Sequence, residues 1–203
     1  MLATDSPWQA TRTFFPLFAR QCELDHVRTV AIVGAADGKF VLPLARAGAH
    51  VTAIDCDREA LNGLRQRLTT EQLTERVQII TGDLLDLIDF EVHDAVWTSC
   101  SWHYSRNHHR PLKEFIDALE QRCAPQGLLG AEYMMPIEAR HQRVEHYLPE
   151  GRIHAYLPDW HPIWETYTPT FDEAPHPGQP EVHQHRMGLF IGRRVIAHSI
   201  DRY

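Results

Sequence analysis

A turn of small residues and an acidic residue at the end of the following strand stand out in this chain. Gly34, Ala36 and Gly38 lie in the turn, and Asp55 follows Gly34 by 21 residues at the end of an apolar run. Glycine lets the backbone approach a ligand closely, and an acid about 20 residues further on accepts hydrogen bonds from both ribose hydroxyls. The spacing predicts a nucleoside-binding site. The alternative is an ordinary strand–helix–strand unit in which Asp55 only caps the next helix.

Polar residues also follow the later apolar runs, where open α/β sheets bind their ligands. Residues 101–110 hold many donors, acceptors and aromatic rings. Within them, His103 and Tyr104 are candidates for orienting a substrate or removing its proton. Tyr133, at the end of another apolar run, is the third candidate catalytic residue. The alternative for residues 101–110 is a polar loop with one or two core aromatics.

The hydrophobic pattern predicts the elements that position these residues. Apolar runs typical of strands cover residues 29–33, 51–54, 77–80, 94–100, 128–135, 161–168 and 186–195. Apolar residues at helical spacing predict helices over residues 5–24, 40–47, 57–68, 84–89 and 111–123. Residues 137–158 are predicted to be helical in part, and the proline-rich segment before the last strand is predicted to be extended. The fold class is therefore α/β.

The turn of small residues and Asp55 resemble the first two motifs of the class I S-adenosylmethionine (SAM)-dependent methyltransferases. Within that superfamily the resemblance is closest to the small tellurite-resistance and thiopurine methyltransferase type. The first motif carries three small positions, matched by Gly34, Ala36 and Gly38, and the second ends in the acid matched by Asp55. The resemblance covers residues 29–195. It implies a single domain over residues 1–203, with a Rossmann-like, seven-stranded, mostly parallel sheet and a C-terminal antiparallel hairpin. Residues 1–27 would form an N-terminal lid helix over the α/β core of residues 28–203.

The resemblance implies SAM as the cofactor and methyl transfer to a small-molecule acceptor as the reaction. Asp83 would accept a hydrogen bond from the adenine amine, and the backbone N–H of Leu84 would meet a ring nitrogen. The full set of expected cofactor-binding residues is Gly34, Ala36, Asp37, Gly38, Asp55, Cys56, Asp83, Leu84 and Ser99.

Aromatic residues are concentrated near the N-terminus. Asp5 or Ser6 is predicted to cap the first helix, with Pro7 at its first position and a kink or split at Pro16. Related small methyltransferases use such a segment as a lid, and Arg12 and Arg20 would offer cations to a carboxylate. The expected substrate-binding residues are Phe14, Phe15, Arg12, Trp102 and His176. The alternative is a helix that only packs on the sheet.

The first motif departs from the family pattern at two positions, because Ile32 stands where an acid is usual and Ala36 where glycine is usual. An apolar neighbour favours the neutral form of the SAM α-amine. A neutral amine can attack the γ-carbon of the same SAM and give azetidine-2-carboxylate and methylthioadenosine, which makes a SAM-consuming cyclase one alternative. Asp37 in place of the missing acid would restore the ordinary reaction. A non-catalytic SAM-binding regulator is the second alternative.

Three histidines, His176, His183 and His185, lie near the predicted C-terminal hairpin. Histidine is a common ligand of zinc and iron. No acid or cysteine completes an obvious ligand set in the sequence, so no metal is predicted and a polar wall or a solvated hairpin is expected instead.

Composition narrows the possible partners. The chain has 203 residues and a net charge of −7, which argues against a basic nucleic-acid-binding face. No apolar run approaches the length of a membrane span, and the four cysteines form no CxxC pair. We therefore expect a cytoplasmic protein, monomeric or homodimeric, that acts on a small molecule in metabolism.

Overall fold

The structure, a computed structural model, describes residues 2–88, 91–175 and 179–195. Its helices are Gln9–Leu24 (α1), Val41–Arg46 (α2), Arg58–Thr70 (α3) and Leu112–Gln121 (α4). Its strands are Thr29–Val33 (β1), His50–Asp55 (β2), Val77–Thr81 (β3), His93–Ser99 (β4), Cys123–Met134 (β5), Trp160–Tyr167 (β6), Phe171–Glu173 (β7), His183–His185 (β8) and Met187–Arg194 (β9). Short 3₁₀ turns lie at Thr74–Arg76, Leu84–Asp86, Ser105–Asn107, His141–Arg143 and Arg152–Ala155.

Seven strands form one sheet in the order β3-β2-β1-β4-β5-β9-β6. Strands β1 to β5 pair in parallel, and β9 runs antiparallel to both β5 and β6. Strands β7 and β8 form a separate antiparallel pair. The predicted α/β fold with a seven-stranded, mostly parallel sheet is confirmed. The strand order reverses between β1 and β4, and ligands of open α/β sheets bind outside the carboxyl ends at such a point.

Each face of the sheet is covered by its own apolar cluster. Alternate residues of β1 face opposite sides, so Ile32 packs with α1, α2 and α3, whereas Val33 belongs to the cluster that contains α4. Trp97 of β4 lies on the Ile32 side, where its ring contacts the rings of Phe15 and Phe40. This alternation decides which side chains at the strand ends can reach a ligand.

Helix α1 differs from its prediction at its N-terminus. The helix begins at Gln9 with Trp8 as N-cap. Neither Asp5 nor Ser6 caps it: the Asp5 carboxylate pairs with Arg67 at 2.9 Å, and the Ser6 hydroxyl accepts from the N–H of Trp8. Pro16 lies inside one continuous helix and is buried.

Three other segments differ from their predictions. Strand β5 begins at Cys123 rather than at residue 128, because Cys123 already pairs with His93 before a register shift in β4. Residues 137–158 contain only 3₁₀ turns, and the helix expected over residues 84–89 is the single 3₁₀ turn Leu84–Asp86. Helix α2 tolerates Pro43 because the proline lies in its first turn.

Candidate functional site

A cavity of about 470 Å³ lies at the carboxyl ends of β1, β2, β3 and β4. This is the edge where the sheet topology directs a ligand, and the volume is in the range of small-molecule sites. Eight residues expected at the site line this cavity: Gly34, Ala36, Asp55, Cys56, Asp83, Leu84, Ser99 and Tyr104.

The turn after β1 is held in left-handed backbone conformations. Gly34 has φ +77°, and a Cβ built on it would lie 3.1 Å from Cβ of Ser101. Ala36 has φ +45°, unusual for a residue with a side chain, and its N–H donates to Asp55 Oδ2 at 2.8 Å. A side chain at position 34 would therefore meet both backbone strain and the Ser101 side of the cavity.

Asp55 organises the turn from the end of β2. Its Oδ2 accepts from Ala36 N–H, and its Oδ1 accepts from Asp57 N–H at 2.9 Å. Asp57, not Asp55, caps helix α3, because its carboxylate accepts from the N–H groups of Glu59 and Ala60. The alternative in which Asp55 only caps the next helix is therefore wrong.

Asp83 lies on the cavity wall and also caps the following turn. Its Oδ1 accepts from the N–H of Leu85 at 3.0 Å, which leaves the other carboxylate oxygen for a further partner. Leu84 beside it is buried, with 4% of its surface exposed. The predicted ligand role and the predicted capping role are thus compatible.

Two residues predicted to bind the cofactor lie elsewhere. Gly38, with φ +98°, packs against helix α3, where a Cβ would come within 2.5 Å of Leu64 Cδ1. Asp37 is exposed and pairs with Arg67 at 3.3 Å. Neither residue lines the cavity in the described part of the chain. The spacing of the motif gave no indication that the turn points these two residues away from the ligand edge.

The cationic side chains that line the cavity are not the two arginines that were predicted. Arg12 donates to the backbone carbonyls of Ser6 and Pro7, which ties it to its own N-terminal segment. Arg20 is exposed and pairs with Glu23. Lys39 and Arg106 line the cavity instead. Sequence reasoning missed Lys39 because it directly follows the glycine turn and resembles a solvated lysine.

Four of the five aromatic rings expected at the ligand are core residues. Phe14 and Phe15 are almost completely buried, and both contact Trp97 beneath the sheet. Trp102 stacks on Tyr133 with ring centroids 5.7 Å apart on the opposite side. The predicted lid over the cofactor is therefore wrong for Phe14 and Phe15, and the placement of Trp102 and Tyr133 at the ligand is wrong as well. Helix α1 follows the alternative, a helix packed on the sheet.

His103 and Tyr104 pack against each other, but only Tyr104 lines the cavity in the described part of the chain. Tyr104 lines the cavity with 52% of its surface exposed, and the Arg106 guanidinium lies 5.6 Å from its ring centroid. The His103 ring packs between Tyr104 and Tyr147, with centroids at 4.4 and 5.8 Å. Burial lowers the pKa of His103 to about 4, so its imidazole is neutral at pH 7.

Glu132 is another residue beside the site that sequence reasoning missed. It has no exposed surface, and its Oε2 accepts hydrogen bonds from Ser99 Oγ at 2.6 Å and Thr11 Oγ1 at 2.9 Å. Burial raises the pKa of Glu132 to about 7, although the two hydroxyl donors oppose this. Oε1 has no hydrogen-bond partner among the described residues. A single carboxylate within the apolar run of β5 was the available signal.

Of the three histidines predicted near the C-terminal hairpin, the structure describes two. His176 lies outside the described residues, so its predicted place in a substrate wall is not described. His183 and His185 lie on β8, and β7 places Glu173 beside them. The sequence indicated no acid that completes a ligand set; the pairing of β7 with β8 supplies one.

Within residues 2–88, 91–175 and 179–195, no helix combines the length and apolar character needed to cross a membrane.

Comparisons with known proteins connect this geometry with methyl transfer. Residues 30–127 match the family model described as a methyltransferase domain. No curated protein sequence matches the chain. The structure of TehB from Haemophilus influenzae aligns with a TM-score of 0.70 at 13% identity over 88% of this chain and 62% of that one.

Two further solved structures have the same fold. An O-methyltransferase family protein from Burkholderia thailandensis aligns with a TM-score of 0.64 at 16% identity, over 94% of this chain and 57% of that one. The YcgJ protein from Bacillus subtilis aligns with a TM-score of 0.66 at 11% identity, over 91% of this chain and 99% of that one.

These likenesses show the class I methyltransferase fold, and this chain spans only 62% of the length of the TehB structure. The family match supports SAM-dependent methylation and implies SAM as the cofactor. It carries no information on the acceptor.

Proposed function

We propose that this protein transfers the methyl group of SAM to a small-molecule acceptor and that Glu132 removes the acceptor's proton. The observation that carries the proposal is a fully buried carboxylate whose neighbour in the sheet, Ser99, lines the cavity. The likeness to TehB agrees with the small tellurite-resistance type that the motifs resemble, and that subtype is part of the proposal.

The residues of the cavity fit the cofactor. Asp55 is suited to accept from ribose hydroxyls, and Asp83 and the Leu84 N–H are suited to the adenine edge. Because Gly34 has no side chain, the cofactor can approach the backbone of the turn, where a Cβ would come close to Ser101. Lys39 and Arg106 supply cations for the carboxylate of the methionine part. When bound, SAM supplies an electrophilic methyl group to the nucleophile of the acceptor.

Glu132 has the properties of a general base that works near neutral pH. A base is most effective when its pKa lies close to the operating pH, and burial raises the pKa of Glu132 to about 7. Glu132 is buried and Ser99 lines the cavity, so the proton would pass through Ser99: its hydroxyl gives its own proton to Glu132 Oε2 and takes the proton of the acceptor. Holding the acceptor and the base in place replaces a costly bimolecular encounter.

The charge distribution favours a small molecule over a nucleic acid as acceptor. The chain carries a net charge of −7, and a polyanion is bound through basic faces. The cavity volume of about 470 Å³ is also in the range of small-molecule sites.

The two alternative functions have less support. The cyclase hypothesis rests on Ile32 as an apolar neighbour of the SAM amine, yet Ile32 is fully buried in the cluster that contains α1, on the other side of the sheet from Val33. Val33, not Ile32, lines the cavity. The regulator hypothesis gives no role to the buried Glu132.

Product analysis separates the three functions. The purified protein is incubated with SAM, with and without a panel of small phenols, thiols, amines and carboxylic acids, and the products are identified by mass spectrometry. We expect S-adenosylhomocysteine only when an acceptor is present. Prompt methylthioadenosine from SAM alone would identify a cyclase, and binding of SAM without either product would favour a regulator.

A further inference from the structure

A carboxylate and two imidazoles converge on the small β7–β8 sheet. Glu173 of β7 pairs directly with His183 of β8, and His185 lies two residues further along the same strand. The Nε2 atoms of His183 and His185 lie 3.1 and 2.7 Å from the same oxygen, Glu173 Oε2. One ligand atom from each residue lies within 4.8 Å of the other two. We refer to Glu173, His183 and His185 as the Glu173 cluster.

The tautomer of His183 points to a cation within this cluster. Its Nδ1 lies 3.0 Å from the backbone carbonyl of Glu181, which can only accept, so Nδ1 carries the hydrogen. In a neutral imidazole the lone pair is then on Nε2, which faces the Glu173 carboxylate at 3.1 Å. Two acceptors at this distance repel each other unless a proton or a metal ion lies between them.

The surroundings of the cluster match those of known metal ligands. A metal-bound histidine typically donates its second ring N–H to a backbone carbonyl, as His183 does, and a ligating carboxylate is itself held by a hydrogen bond. Trp8 supplies the latter, because its Nε1 donates to Glu173 Oε1 at 2.8 Å. The side chains of Glu173 and His185 are mostly buried, with 16% and 19% of their surface exposed.

We propose that Glu173, His183 and His185 bind a divalent transition-metal ion such as Zn²⁺. Two imidazole nitrogens and a carboxylate oxygen are a ligand set that zinc and iron accept. With metal–ligand bonds of about 2.0–2.1 Å, tetrahedral ligand atoms lie about 3.3 Å apart. The distances of 2.7 and 3.1 Å from Glu173 Oε2 are slightly shorter, so a small outward movement of the carboxylate makes room for the ion.

Three protein ligands among the described residues are the number that catalytic zinc sites use, with the fourth position for water or substrate. Trp8, which holds Glu173, also lies beside Lys39, whose Nζ is 5.8 Å from the Trp8 ring centroid and which lines the cavity. The ion would thus lie near the cavity and bind a hydroxyl, thiol or carboxylate of the acceptor. This last role rests on the proposed methyl transfer; the metal site itself does not.

Calorimetry with Zn²⁺ on the full, untagged and chelator-treated chain tests the site. We expect one tight site in the wild type and its loss in Glu173→Gln, His183→Gln and His185→Gln. Trp8→Phe should bind about 10-fold more weakly, because it removes only the hydrogen bond to the ligating carboxylate. Affinity should fall at lower pH, since protons compete for the imidazoles.

His154→Gln is the matched control, because His154 Nε2 lies 2.6 Å from Glu165 Oε2 in a simple histidine–carboxylate pair. This variant should bind Zn²⁺ like the wild type. Circular dichroism checks that each variant is folded, and the isosteric Glu173→Gln remains informative if a histidine variant unfolds. Equal Zn²⁺ affinity in wild type and Glu173→Gln, or no tight site in the wild type, would overturn the proposal. SAM affinity, measured on the same samples, reports separately on the proposed methyl transfer.

Discussion

Ser99 and Glu132 are paired residues of neighbouring parallel strands, and the Ser99 hydroxyl donates to Glu132 Oε2 at 2.6 Å. Ser99 lines the cavity, whereas Glu132 has no exposed surface. One hydrogen bond thus connects the ligand edge of the sheet with a buried carboxylate. The position of Glu132 explains its raised pKa, because burial disfavours the ionised form more than the two hydroxyl donors stabilise it.

The first prediction concerns Glu132 as the base. Burial raises its pKa to about 7, so the rate of methyl transfer should rise with pH through about 7 and then level off. Glu132→Gln should lower the rate by a factor of about 10²–10⁴ and remove this rise. The measurement is a pH–rate profile with saturating SAM.

Glu120→Gln is the matched control for this profile. Burial also raises the pKa of Glu120, but its carboxylate accepts from Trp160 Nε1 at 2.6 Å, outside the cavity. Its profile should match that of the wild type. A Glu132→Gln enzyme that keeps both the rate and the pH dependence would remove Glu132 from the reaction.

The second prediction follows from the same pKa. A carboxyl whose pKa rises from its ordinary value of 4.5 to about 7 on folding stabilises the folded state at low pH, and this contribution is lost as pH rises through about 7. Glutamine does not ionise. Relative to wild type, Glu132→Gln should therefore gain up to about 3 kcal/mol in free energy of unfolding between about pH 5 and about pH 8. Urea denaturation at both pH values measures this gain, and parallel pH dependences would contradict it.

The sequence predicted the sheet better than the site, for a physical reason. Residues 30–33 are apolar because both faces of the central parallel strand β1 are buried, so β1 was predicted to the residue. The same uniformity conceals which face each residue occupies. Tyr133 was predicted at the ligand, but its side chain points to the face of the sheet that packs with Trp102. Because side chains alternate along a strand, Glu132, one residue earlier, lies on the other face.

Contacts between segments that are far apart in the chain could not be predicted from the sequence either. Asp55 lines the cavity, as expected, because its place follows from spacing within one strand–helix–strand unit. The Glu173 cluster depends on the pairing of β7 with β8 and on Trp8, whose Nε1 contacts Glu173 across 165 positions of sequence. No local pattern links such residues, so the acid that completes the histidine pair was not recognised.

The third prediction compares the effects of replacing Asp55 and Asp37 on cofactor affinity. Asp55→Ala should weaken the binding of S-adenosylhomocysteine by about 2–4 kcal/mol, since it removes charge-assisted hydrogen bonds in a partly buried site. Asp37→Ala is the control, because Asp37 is exposed and pairs with Arg67. It should leave the affinity unchanged. Calorimetry that found equal losses in both variants would indicate that Asp37 also contacts the cofactor.

The fourth prediction separates strain from steric exclusion at Gly34. Gly34 and Gly151 have nearly equal φ angles of +77° and +73°, but only at Gly34 would a Cβ meet a neighbour, Ser101 Cβ at 3.1 Å. Gly34→Val and Gly151→Val should both lose stability by about 1–2 kcal/mol or more, the cost of a left-handed residue with a side chain. Only Gly34→Val should also lose cofactor binding. Thermal unfolding and calorimetry measure the two effects, and normal affinity in Gly34→Val would place the turn away from the ligand.

The last prediction concerns Tyr104, an exposed aromatic ring that lines the cavity. An aromatic face attracts the sulfonium cation of SAM but not the uncharged sulfur of S-adenosylhomocysteine, and the attraction contributes about 0.5–2 kcal/mol. Tyr104→Leu should therefore weaken the binding of SAM more than that of S-adenosylhomocysteine, whereas Tyr104→Phe should affect neither strongly. Trp164→Leu removes another exposed ring, on β6 and outside the cavity, and should change neither affinity. Equal losses for both ligands in Tyr104→Leu would mean that the ring only packs against the cofactor, because a purely steric contact does not distinguish a charged sulfur from a neutral one.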